Sequence, residues 1–65
     1  MAATPRMEII RALKMSRRSQ RWLAREAGVH ETAISLIVNG RLIPNDRQVS
    51  AIAGVLGIDP QILFS

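Results

Sequence analysis

The sequence predicts an all-α domain of five short helices, and three observations lead there. Apolar residues recur at helical spacing in separate stretches, and capping residues and glycines bracket those stretches. The chain's 65 residues, with Trp22 and Phe64 as the two aromatic side chains, leave room for one modest core, so a single domain over residues 1–65 is expected. Cysteine is absent, which excludes disulfide staples and thiolate metal sites and fits an intracellular helical domain. Charge interrupts the apolar residues throughout. Neither a membrane span nor a signal-peptide core fits, and a cytoplasmic location is the expectation.

Residues 1–4 offer nothing to bury and are expected to form a flexible tail, with Thr4 and Pro5 as an N-cap and first helical position. A first helix then runs to Lys14 or Met15. Ile9, Ile10 and Leu13 form its inward stripe, with Met7 at the edge. Ser16 to Arg18 make a connector, and Ser19 caps a second helix over Gln20 to Ala27 with inward Leu23, Ala24 and Ala27. Gly28 supplies a left-handed stop. The third helix spans about Glu31 to Val38 and buries Ile34, Ile37 and Val38, before Asn39 and Gly40 end it with two residues that tolerate positive φ. Arg41 to Pro44 form a loop. A fourth helix starts at Asn45 or Asp46, carries Val49, Ile52, Ala53 and Leu56 on one face, and stops at Gly57. Ile58 packs inward, and Asp59-Pro60 opens a last short turn through Phe64.

The net charge of +4 is unevenly spread: Arg11, Lys14, Arg17, Arg18, Arg21 and Arg25 follow one another with no acid between them. Such a cluster can gather phosphates and release their counterions, or it can be a solvated face that keeps the protein soluble.

Two helices that meet steeply across a tight turn need a small residue where their backbones approach. Ala24 provides it, Gly28 makes the turn, and Ile34 fills the wedge with Leu23, Ala27, Val29 and Ile37. On a helical wheel the third helix then turns Thr32, Ser35, Leu36 and Asn39 outward, with Glu31 at its tip.

The run Gln20-Arg21-Trp22-Leu23-Ala24-Arg25-Glu26-Ala27-Gly28-Val29, then Ile34-Ser35, Asn39-Gly40 and Pro44, resembles the helix-turn-helix family of the lambda and Cro-type phage repressors, over about Ile9 to Phe64. The resemblance implies a compact five-helix lambda-repressor-like domain whose helices 2 and 3 form the helix-turn-helix. It implies a sequence-specific transcription regulator, a repressor of phage or antitoxin-like type, that binds double-stranded DNA as a homodimer on a two-fold symmetric site. His30 stands where the family frequently has a small capping residue.

By the same resemblance Glu31, Thr32, Ser35 and Leu36 face the bases. Glu31 can accept from cytosine N4 or simply stabilise the positive end of its helix; Thr32 can hydrogen-bond or touch a thymine methyl. Leu36 offers apolar contact, to a base or to a neighbouring subunit. The expected phosphate contacts are Arg17, Arg18, Gln20, Arg21, His30, Asn39 and Arg41, with Gln20 and Arg21 at a helix N-terminus that favours anions. Arg47 joins them, pairs with Asp46, or stays solvated.

One histidine beside Glu26 and Glu31 makes a poor metal site, and no nucleophile has a partner base in a plausible pocket. The chain is expected to be no enzyme and to need no cofactor. An alternative is an interaction module of the same fold that binds a toxin or other protein partner through Leu36 and the Ile62 to Phe64 end. Those last residues fit a two-fold contact or closure of the chain's own core equally. The chain can be a whole protein or a domain of a longer one.

Overall fold

A computed structural model describes residues 5–64. The expected tail over residues 1–4, with its Thr4 cap, lies outside them. Five helices follow in order: α1 (Met7–Met15), α2 (Gln20–Ala27), α3 (Glu31–Val38), α4 (Asp46–Leu56) and α5 (Pro60–Leu63). Among the described residues there is no strand.

Local caps set most of these boundaries. Ser19 Oγ accepts the Trp22 amide at 3.0 Å to open α2. Asn45 and Gln48 form a reciprocal capping box at α4, each side chain bonding the other's amide at 2.8 and 3.0 Å. Asp59 accepts from Gln61, and Pro60 occupies the first turn of α5.

Four helices end alike. The residue before the closing amide is left-handed, and that amide reaches back five residues: Arg18 to Leu13 (2.8 Å), Val29 to Ala24 (3.0 Å), Arg41 to Leu36 (2.8 Å) and Ile58 to Ala53 (3.2 Å). The left-handed residue is Gly28, Gly40 or Gly57 in three of them, at φ of 67°, 73° and 67°. In α1 it is Arg17, at φ 55°. Of the two residues there that tolerate positive φ, Asn39 keeps a φ of −83° and leaves the reversal to Gly40.

The start of α1 departs from expectation. Arg6 is its N-cap residue and Pro5 stays outside the helix; the Arg6 amide donates to the Val38 carbonyl at 2.8 Å, and that tertiary bond holds Arg6 at a non-helical ψ of 89°. The Arg6 carbonyl then accepts from Ile9 and Ile10, which winds the first turn. Met7, expected at the edge of the apolar stripe, stands exposed.

The core is drawn from every helix: Ile9 and Leu13, Leu23 and Ala24, Ile34, Ile37 and Val38, Ile52 and Ala53, and Leu63. Helix α2 packs on both α3 and α4, α4 supports α5, and α1 closes against α3 and α5. Burial of each large aliphatic side chain contributes about 1.5–3 kcal/mol. Of the three C-terminal apolar residues, Leu63 is buried in the chain's own core and Phe64 is half-buried. Ile62 alone remains exposed.

Candidate nucleic-acid interface

Helix α3 is inserted along one side only. Ile34, Ile37 and Val38 are completely or almost completely buried, which turns the opposite side to solvent. Glu31 and Thr32 are exposed, Ser35 is half-buried, and Leu36 is 38% exposed. Together with His30 these four side chains line one shallow cleft. All four expected base-facing residues therefore share a surface.

His30 has a second task that sequence reasoning missed. Its Nδ1 accepts the Thr32 amide at 3.1 Å, so the imidazole is the N-cap of α3. The usual caps are serine, threonine, aspartate and asparagine, and a histidine signals a cap only through the lone pair of one ring nitrogen. His30 also lines a broader cleft between the α2–α3 turn and the start of α4, opposite Asn45, Arg47 and Gln48.

The expected phosphate-facing residues lie on the elements before and after α3 in the chain. Arg17 and Arg18 sit exposed on the α1–α2 connector, and Arg21 is exposed on the first turn of α2 beside half-buried Gln20. Ser19 takes the Trp22 amide by its side chain and the Leu23 amide by its carbonyl, which leaves the Gln20 and Arg21 amides without a protein partner among the described residues. Arg18 lies 4.8 Å from the centre of the Trp22 ring, so its reach is tied to that stack. Arg41 is exposed just after α3. Asn39 donates through Nδ2 to the Ser35 carbonyl at 2.8 Å, and this bond closes the end of α3 and orients the amide group.

Among the described residues the ion pair present is Glu8 with Arg11, at 3.9 Å and well exposed. The guanidinium groups of Arg17, Arg18, Arg21 and Arg41 are thus not neutralised by any carboxylate there. Of the three alternatives for Arg47, a phosphate contact, a pair with Asp46 or solvation, the ion pair with Asp46 is not formed and the residue is exposed. No group of three or more His, Asp or Glu side chains among the described residues is placed to hold a metal ion. Among the described residues no helix is long and apolar enough to cross a membrane.

An exposed row on a short helix, set across a glycine turn from a second helix and flanked by free arginines, is the geometry of DNA-groove recognition. A family model described as helix-turn-helix matches residues 9–63. No curated protein and no solved structure matches the chain. Domains of this kind are DNA-binding regulatory units and not catalytic ones. The chain belongs to the lambda repressor/Cro-type helix-turn-helix family, and its α2 and α3 are the two helices of the motif.

Proposed function

We propose that the protein is a sequence-specific regulator of transcription, a repressor of phage or antitoxin-like type, that places α3 in the major groove of double-stranded DNA. Glu31, Thr32, Ser35 and Leu36 read base edges. Arg17, Arg18, Gln20, Arg21, His30, Asn39 and Arg41 hold phosphates on either side. It works in the cytoplasm as a homodimer on a two-fold symmetric site, without a cofactor and without enzymatic activity. The observation that carries this reading is the solvent-facing row of α3 together with exposed arginines that no carboxylate among the described residues pairs with.

Selection from a random duplex library at two salt concentrations tests it. The expected result is an enriched palindromic motif, with affinity falling steeply as salt rises. Enrichment of no sequence at either salt overturns it.

A second reading is a module of the same fold that docks on a toxin or other protein. Exposed Leu36, and Ile62 at the C-terminal end, are the side chains that motivate it. The double substitution Arg17→Glu, Arg18→Glu separates the two, because DNA binding fails while a protein interface elsewhere survives.

A further inference from the structure

We propose that the outer face of α1 is a docking surface for a short acidic helix of another protein, one that carries apolar side chains among its carboxylates. The face is distinct from the residues assigned to DNA.

Helix α1 buries Ile9 and Leu13 and turns its other side to solvent. At 3.6 residues per turn Arg11 stands opposite both of them, and Met7, Lys14 and Met15 fall within about 60° of Arg11. All four are exposed, Met7 at 57% and Met15 at 80%. They form one stripe, with a methionine at each end, two cations between, and about 12 Å of helix axis from Met7 to Met15. Glu8 flanks the stripe and reaches Arg11 at 3.9 Å, but a solvated pair of that length leaves the guanidinium open to a better acceptor. Lys14 has no ion pair among the described residues. None of the DNA contacts proposed above draws on these four side chains.

The make-up of the stripe selects its occupant. Phosphates would engage Arg11 and Lys14 and leave both thioethers in water. A membrane surface calls for more apolar area than two methionines offer on a nine-residue helix whose Ile9 and Leu13 are committed to the core. A second copy of the chain lacks the complement: its five acids, Glu8, Glu26, Glu31, Asp46 and Asp59, are scattered one to each helix or its cap. The stripe laid on itself would set cation against cation. What fits is a helix of another protein with carboxylates between two apolar side chains. Its acids pair with Arg11 and Lys14, and the unbranched, polarizable methionines adapt to the apolar side chains that arrive.

The test is selection on the full chain from a displayed library of random peptides about twelve residues long, enough for about three helical turns. Enriched peptides are expected to carry Asp or Glu between apolar residues at helical spacing. They are expected to bind the double variant Arg11→Glu, Lys14→Glu at least about tenfold more weakly, and Met7→Ser, Met15→Ser is expected to lose a similar factor. Both variants should keep the affinity of the unaltered protein for duplex DNA. Should either variant fail to fold, the methyl resonances of Met7 and Met15 in the unaltered chain decide: both shift together as peptide is added, or this face is not the site. Enrichment of no peptide, of peptides without carboxylates, or of peptides that bind the charge-reversed variant equally well overturns the proposal. So does a charge-reversed variant that loses duplex affinity, which assigns Arg11 and Lys14 to phosphates, and so does binding of phosphatidylserine vesicles in place of peptide. Failure to select a DNA motif is a separate outcome, because no duplex takes part in peptide binding.

Discussion

Arg17 holds at the end of α1 the left-handed backbone position that Gly28 holds at the end of α2. Their φ angles are 55° and 67°, and in each case the next amide closes a bond to the carbonyl five residues back. A side chain with a Cβ is strained there by about 1 kcal/mol relative to glycine. The outlier coincides with an exposed guanidinium beside the N-terminus of α2, where a phosphate is proposed to dock.

Arg17→Gly is therefore expected to raise stability by about 1 kcal/mol, or about 5 °C in Tm for a domain of this size, while weakening DNA binding. Thermal melts and titrations on one duplex check both signs. A glycine variant that melts lower would show that the left-handed arginine is not strained.

Salt dependence separates phosphate contacts from base contacts. Arg21→Ala and Arg41→Ala are each expected to reduce the slope of log affinity against log salt by about 0.9, uniformly over related sequences. Thr32→Ala is expected to leave that slope unchanged and to alter preference at one base pair. Fluorescence titrations between low and physiological salt measure this.

Arg6 joins three parts of the chain: its amide bonds Val38 at 2.8 Å, and its guanidinium lies 5.1 Å from the centre of the Phe64 ring. Arg6→Ala loses the stack and is expected to destabilise by about 0.5–1 kcal/mol. Arg6→Pro also removes the N–H and strands the Val38 carbonyl, for a further loss of about 1–2 kcal/mol. Urea denaturation of the two variants resolves the difference.

Gly54 lies within α4, exposed, with nothing within 4 Å of the place a Cβ would take. Gly54→Ala is expected to stabilise by about 0.5–1 kcal/mol, because alanine restricts the unfolded chain and favours helix. The check is the denaturation midpoint together with sedimentation. A variant that is more stable but assembles less would mark this face of α4 as a contact between copies.

The elements most legible in the sequence are those whose ends are decided locally. Ser19 with Gly28, Asn45 with Gly57, and Asp59 with Pro60 each carry a cap or a stop within a few residues of the helix they delimit, and α2, α4 and α5 fall where those signals lie. The start of α1 was not legible, since a bond to Val38, thirty-two positions along the chain, outweighs the nearby Thr4-Pro5 signal. Arg17 was hidden because the motif it completes is ordinarily recognised by glycine. For the candidate site, the 3.6-residue period was enough to place Glu31, Thr32, Ser35 and Leu36 on one open face. It could not show that His30 caps that same helix, because the bond depends on which ring nitrogen carries hydrogen. Nor could a four-residue helix reveal which of Ile62 and Leu63 faces inward; only the position of α5 on α4 and α1 decides that.

Helix α3 is fastened at both ends, by His30 at its first turn and by Asn39 and Arg6 at its last. The probe that enters the groove is thus preorganised: its rotation and register are settled when the protein folds, not when it meets its target. Association should then resemble rigid docking, with a heat-capacity change that tracks the contact area alone and no added signature of a segment ordering on arrival.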